Sequence, residues 1–372
     1  MIPLFKVAMS ESAQAAVSDV LASGFIGQGA KVEAFEKALR ARLGTPFVST
    51  VNSATSGLTL ALRLALGDSR PGDGEVLSTP LTFVASNWAI LANGLRIRWV
   101  DVDPATLNID LDDLARKISP ATRAVVVVHW AGYPVDLNKL RAVLDRAEKI
   151  HGHRPAVIED CAQAWGATFD GKPLGNHGNT AVYSFQAVKH LTCGDGGLIV
   201  MPDQAEHRRA RLLRWFGYDR DEGAAPRGDQ DIAVWGYKFH MNDISAAIGL
   251  ANLDLAEEIV RKHRENARRL DMELAGVPGL ELTERAADRK PSFWVYPVKV
   301  EDRSSFIGLM KDAGITASSI DVRNDAHTCV REYTALLPGM DEIAQRMVCL
   351  PVGWWLTDDN IDHIVSTVRK GW

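Results

Sequence analysis

The sequence predicts an α/β protein in which a large unit, with a mostly parallel central sheet sandwiched by helices, precedes a small C-terminal α+β unit. Two observations predict it. Between about residues 25 and 250, short apolar or β-branched runs alternate with longer helical stretches: EVLSTP (75–80), RIRWVDVD (96–103), AVVVVHW (124–130), PAVIED (155–160), TAVYSF (180–185) and GLIVMP (197–202). Runs such as Ala124 to Val128 are apolar at every position, as strands covered by helices on both faces require.

No internal repeat, low-complexity tract or Pro-, Gly- or Ser-rich linker interrupts this stretch, so residues 1–251 are expected to form one unit. From Asn252 the texture changes to a long charged helix, NLDLAEEIVRKHRENARRLDMELAG, with Leu and Ile at helical spacing. It reads as the connector into a second unit, residues 252–372. Strand-like FWVYPVKV (293–300), a helix at 304–314, strand-like TASSIDV (316–322), apolar CLPV (349–352) and a final helix capped at Thr357 complete the chain.

The composition bounds the function. In 372 residues, 46% hydrophobic and 24% charged, there is material for a large buried core, and the net charge of -5 offers no basic field for nucleic acid. No stretch approaches the roughly 20 apolar residues that span a bilayer. The start MIPLFKVAMSESAQ lacks the pattern of a secretory leader, and Cys161, Cys193, Cys329 and Cys349 form no C-x-x-C pair. A cytoplasmic protein with reduced thiols, no membrane partner and no nucleic-acid partner is expected.

The densest chemical signal lies between Pro155 and Met201. Strand PAVIED ends in Glu159 and Asp160, at the sheet edge where open α/β folds place ligands, and one of the two is expected to face a site. Strand TAVYSF ends in Ser184, and Lys189 follows before the glycine turn of SFQAVKHLTCGDGG. A lysine between a buried strand and such a turn can hold its amine partly desolvated, which lowers its pKa and suits Schiff-base chemistry. Upstream, VSTVNSATSGLTLALRLAL reads as strand, turn and amphipathic helix. Backbone N–H groups at that helix start, with hydroxyls of Ser53, Thr55 and Ser56, suit a phosphate, although an ordinary N-cap has the same pattern. Phe83, just after a strand end, suits stacking on a planar ring or packing in the core.

Taken in order, NSATSG, TPLTFVAS, VDVDPATLNID, VVHWAGYPVDL, VIEDCAQAWGA, SFQAVKHLTCGDGG and the GY-x-x-x-M-N-D-I-x-A-A-I-G segment resemble the DegT/DnrJ/StrS family of nucleotide-sugar aminotransferases, as does GFIGQGAKVEAFEKAL near the start. The resemblance runs from about Gly24 to about Leu253. It implies a fold type I enzyme dependent on pyridoxal phosphate, with pyridoxamine phosphate as its intermediate form. It also implies a homodimer with shared active sites, L-glutamate and 2-oxoglutarate as donor pair, and a nucleotide-linked keto sugar as acceptor. Lys189 would hold the cofactor as a Schiff base and shuttle the proton; Asp160 would pair with the pyridine nitrogen. Gln163 would lie near the phenolic oxygen, Phe83 on the ring face, and Ser184, Ala54 and Thr55 around the phosphate.

The sequence departs from the family at Gly236-Tyr237-Lys238-Phe239-His240-Met241, where many members have G-Y-N-x-R-M. The Asn there reaches a partner's cofactor phosphate, so Lys238 either makes that contact as a charge or is solvated. His240 in place of Arg puts the usual substrate contacts in doubt. A dehydratase branch of the family carries His where Lys189 stands, which favours aminotransfer here. Rival readings are another fold type I enzyme acting on amino acids, or a non-catalytic cofactor-binding regulator. A nicotinamide dehydrogenase fails for want of an early G-x-G-x-x-G. No metal is expected: His151 and His153 lack a third ligand at suitable spacing. Trp215, Trp235, Trp354 and Trp355 are candidates for the pocket, the interface or the core, and His129 and Trp130 follow a strand end near the site.

Overall fold

A computed structural model of the chain describes residues 1–67, 74–221 and 225–372. Its first part runs α1 (Ala13–Ser23), α2 (Ala30–Leu43), β1 (Val48–Val51), α3 (Ala54–Leu66), β2 (Glu75–Ser78), α4 (Ala85–Ala92), β3 (Arg96–Trp99), α5 (Leu111–Lys117), β4 (Thr122–Val128), α6 (Leu137–His151) and β5 (Ala156–Asp160). A short ribbon, β6 (Thr168–Phe169) and β7 (Lys172–Pro173), precedes β8 (Thr180–Ser184), β9 (Gly197–Val200) and α7 (Gln204–Leu213). Each expected strand of this part is present. Seven strands form one sheet in the order β1-β9-β8-β5-β4-β2-β3. The β8-β5-β4-β2-β3 pairings are parallel, and β9 runs against both of its neighbours.

The all-apolar β4 shows why this sheet is buried on both sides. Ala124, Val126 and Val128 join the core shared with α3 and α4, while Val125 and Val127 join the one shared with α2, α5 and α6. Since side chains alternate along a strand, a sequence without polar breaks needs a helical layer on each face.

The connector α8 (Asp243–Leu274) begins nine residues earlier than the charged pattern suggested, with Asn242 as its cap accepting from the Ser245 N–H. Its first turns carry Ala246, Ala247 and Gly249 because they press on the large unit: a Cβ at Gly249 would come within 2.6 Å of Phe35 and Cys193. At about 1.5 Å per residue the helix is roughly 48 Å long. Its N-terminal part packs in the core of the large sheet through Leu253, Ala256 and Val260, and its C-terminal part in that of the small one through Ala267, Leu270 and Leu274. The division expected at residues 251/252 therefore falls inside one helix.

After α8 come β10 (Leu280–Leu282), β11 (Arg289–Lys290), β12 (Tyr296–Val300), α9 (Arg303–Asp312), α10 (Pro338–Arg346), β13 (Met347–Leu350) and α11 (Asp358–Arg369). Strands β10, β12 and β13 form an antiparallel sheet with β12 in the middle. Thr357 and Asn360 close a capping box at the start of α11. The N-terminus returns to this small unit, where Ile2 bridges Ile315 and joins its core. One expectation is corrected. TASSIDV (316–322) is no strand but an irregular segment with a single bridge, Ser318 to Cys349, and a left-handed Ile320 at φ 53°. Beyond it the chain is turned toward the large unit by Asn324, whose amide donates to the Thr82 carbonyl and accepts from Asn87.

Candidate active site

Strands β4, β5 and β8 end side by side in Val128, Asp160 and Ser184, and these residues line a cavity of about 340 Å³. The start of α3 supplies Ser53, Ala54 and Thr55; the loop before α4 supplies Thr82 and Phe83; Gln163 and Lys189 complete the set read from the sequence. A cavity of similar size, about 370 Å³, lies near Asp103 and Asp110. It holds charges already engaged with one another, Lys139 with Asp112 and Arg289 with Glu284.

Lys189 reaches the cavity because its loop closes on itself. Phe185 N–H donates to the Gly196 carbonyl and Cys193 N–H to the Phe185 carbonyl, so residues 186–192 bulge out between β8 and β9. The amine faces the cavity, not bulk water. Burial lowers its pKa from 10.5 to about 8, against the opposing pull of Asp160 and Asp321.

Asp160 is buried. Its Oδ2 accepts from the Ser86 hydroxyl at 2.6 Å and its Oδ1 from the Ala162 N–H at 2.9 Å. With its one proton given to Asp160, Ser86 must accept from Thr82, 2.8 Å away. Burial nonetheless pushes the Asp160 pKa above its ordinary value, with Ser86, Ala162 and Lys189 only partly offsetting it. A carboxylate left short of partners in this way favours a cation beside it.

Glu159 points to the other face of β5. Its Oε2 accepts from His129 Nε2 at 3.1 Å and its Oε1 from Asn179 at 2.7 Å. His129 Nδ1 accepts from the Val135 N–H, which puts the ring proton on Nε2. Here burial raises the carboxyl pKa, but the His129 and Asn179 bonds outweigh it and hold the pKa down. His129, Glu159 and Cys161 lie within 4.8 Å of one another, yet both ring nitrogens of His129 are engaged and burial keeps the Cys161 thiol protonated, so His129 and Glu159 form a hydrogen-bonded strut beside a neutral thiol.

Gln163 is oriented by its neighbours: its Oε1 accepts from the Ala131 N–H at 2.6 Å, leaving the NH₂ group available to the cavity. Phe83 lines the cavity with 61% of its surface exposed, and its ring stacks on no other ring among the described residues. At the start of α3, Ser53 caps the Ser56 N–H, and the Ala54 N–H approaches Gly197 so closely that a Cβ there would lie 2.8 Å away. Ala54 and Thr55 of this first turn, whose N–H groups have no partner within the helix, line the cavity together with Ser184.

Lys238 does not line this cavity; its carbonyl accepts from Asn52 Nδ2 at 3.3 Å. His240 is also outside it, its ring edge-on to Trp215 at 3.9 Å, with burial and the nearby Arg220 lowering its pKa to about 4. Neither His129, Trp130 nor the four tryptophans singled out in the sequence reach the cavity wall. The tryptophan that does is Trp294, from the approach to β12, joined by Asp321 from the irregular segment and Ser86 from α4. Ser86 lay within the TPLTFVAS motif and could have been found there; nothing local marks Trp294 or Asp321.

An amine able to condense with an aldehyde, a carboxylate suited to a ring cation and a cluster of N–H donors suited to a phosphate fit pyridoxal phosphate. The fold is that of a fold type I aminotransferase dependent on this cofactor. The chain belongs to the DegT/DnrJ/EryC1/StrS aminotransferase family, a model of which matches residues 7–369. It is similar to the sugar aminotransferase CalS13 of Micromonospora echinospora, with 58% identity over the whole of both chains and a TM-score of 0.97. AtS13 of Actinomadura melliaura is 60% identical over 100% of this chain and 99% of its own, again with a TM-score of 0.97. Spr1654 of Streptococcus pneumoniae, solved in a PLP-form, is 26% identical over 99% and 98% of the two chains, with a TM-score of 0.88. No helix among the described residues is long and apolar enough to cross a membrane.

Proposed function

We propose that the protein moves an amino group from an amino acid, L-glutamate, to a nucleotide-linked keto-deoxy sugar in a ping-pong sequence with 2-oxoglutarate as first product. The observation that carries this reading is Lys189, an amine with its pKa brought to about 8, set in a cavity with Asp160. The similarity to CalS13, described as a sugar aminotransferase, supports the acceptor class.

Pyridoxal phosphate, when bound, supplies an electron sink for charge developing on the carbon that bears the nitrogen. Lys189 anchors it and, once released, carries the proton at that carbon. At its ordinary value of 10.5 the amine would be almost wholly protonated near neutral pH; near 8 it has a usable fraction of free base. Asp160, steadied by Ser86, keeps the ring nitrogen protonated. Gln163 would offer its free NH₂ group to the cofactor, Phe83 would pack against its ring, and Ala54, Thr55 and Ser184 would hold its phosphate. Lys238, which does not line its own cavity, would serve the phosphate of a second copy in a homodimer with shared sites.

An absorbance spectrum tests the reading. L-glutamate should bleach the visible band of the lysine-bound cofactor, and one of a panel of dTDP-, UDP- and GDP-linked keto sugars should restore it. A band indifferent to glutamate removes that donor. Bleaching that no nucleotide sugar reverses removes the acceptor and favours chemistry on amino acids alone.

A further inference from the structure

We propose that Trp294 is a positioning residue for the reacting amine: its indole face holds the Lys189 ammonium whenever that nitrogen is not bonded to cofactor or substrate. The inference rests on Lys189 being the cofactor lysine. Lys189 Nζ lies 3.6 Å from the centroid of the Trp294 ring, well within the ~6 Å reach of a cation–π contact.

The ring is held from several sides. Its Nε1–H donates to the Val188 carbonyl at 3.0 Å, its backbone N–H to the Ala131 carbonyl at 3.0 Å, and Phe5 stacks on it at 4.8 Å. Val188 immediately precedes Lys189, so the indole is tied to the loop that carries the amine, and ring and amine keep their relation if that loop shifts. Trp294 is only 9% exposed, which leaves its face to the cavity and not to water.

An aromatic face suits this task better than another carboxylate. The charged groups facing the amine are Asp160, from β5, and Asp321, from the irregular segment that follows α9. His190, adjacent in sequence, is buried and held well below its usual pKa by that burial, and so stays neutral. A carboxylate can take the proton and typically raises an ammonium pKa by about 1–3 units. A π face attracts the cation but accepts no proton, and its pull corresponds to about 0.4–1.5 pKa units. The amine is parked without losing its ability to give and take a proton near neutral pH. Asp160 would be occupied by the ring nitrogen of a bound cofactor, which makes a neutral docking surface the more needed.

The test titrates the amine itself in cofactor-free protein. Brief acetylation with acetic anhydride across a pH series, followed by mass spectrometry of the peptide carrying Lys189, reads the free-base fraction. The ring favours the charged form, so its removal lowers the midpoint. Trp294→Leu, which keeps apolar bulk, should lower it by about one pH unit. Trp294→Phe, which keeps a ring but loses the Nε1–H tether, should lower it by less. A midpoint unchanged or raised in both variants overturns the proposal, and should the Leu variant fail to fold, the Phe variant decides alone. Borohydride reduction of the cofactor-loaded wild type, read on the same peptide, separates the two claims: label elsewhere than Lys189 sinks the reading of Lys189 as anchor, while the titration still decides the indole contact.

Discussion

Glu159 and Asp160 are adjacent in sequence, end the same strand and are equally hidden from water, yet their environments oppose each other. On the Glu159 side, His129 and Asn179 satisfy the carboxylate and hold its pKa down. On the Asp160 side, two hydrogen bonds fall short of offsetting burial, and the pKa is raised. One face of the strand end is a finished structural joint and the other an unfinished one. A site that must receive a charged ligand keeps a group whose best partner is the ligand, and the fold tolerates the cost next to a joint that is fully paired.

The largest effect that would sharpen this contrast lies on the unfinished side. Lys189→Ala should reduce turnover by a thousandfold or more, on the order expected for loss of both anchor and proton carrier, while thermal melting of the cofactor-free protein stays close to wild type. Asp160→Asn should lower kcat by about a hundredfold through loss of the charge opposite the ring nitrogen. Because its folded pKa is raised, Asp160 contributes stability that is fully present below its unfolded value of about 4 and is lost as pH rises through the folded value. The Asn variant, which cannot titrate, should therefore lack this rise in cofactor-free stability on acidification, as urea midpoints at several pH values will show.

The finished side should behave in the opposite sense. Glu159→Ala strands the His129 and Asn179 donors in a dry place and should cost about 3 kcal/mol of stability, measured as a lowered urea midpoint without cofactor. Its depressed pKa means that the stability it contributes is present above about pH 4 and lost as pH falls through the folded value. If Glu159→Ala left stability intact while Asp160→Asn collapsed it, the division between the faces would be wrong.

Smaller effects follow. Ser86→Ala removes a charge-assisted bond worth about 1.5–3 kcal/mol and should raise the Asp160 pKa further, costing roughly tenfold in kcat with little change in KM for the amino donor. Phe83→Leu should leave melting almost unchanged, since the ring is 61% exposed, but weaken cofactor retention about fivefold by equilibrium dialysis.

Much of this was legible before any coordinates. Strand ends, the helix-start cap at Ser53 and the loop carrying Lys189 are local patterns, because a strand's alternation and a turn's residue types are decided within a few positions. The misread elements failed for tertiary reasons. TASSIDV has strand-like residues, but Asn324 commits the chain to the Thr82 loop instead of a sheet neighbour. The start of α8 was hidden because Ala246, Ala247 and Gly249 are small to allow close packing, which weakens a pattern read from apolar size.

By itself the sequence determined a sheet buried on both faces, the family, and a lysine and a carboxylate at one sheet edge. Only the tertiary structure decided what surrounds them. Trp294 and Asp321 come from beyond the long helix, more than a hundred residues after Lys189, and meet its amine only because segments of the chain after α8 return to the cavity wall. Residue types at such separations obey no short period, so their contact is written in the packing of two units and not in any local run of residues.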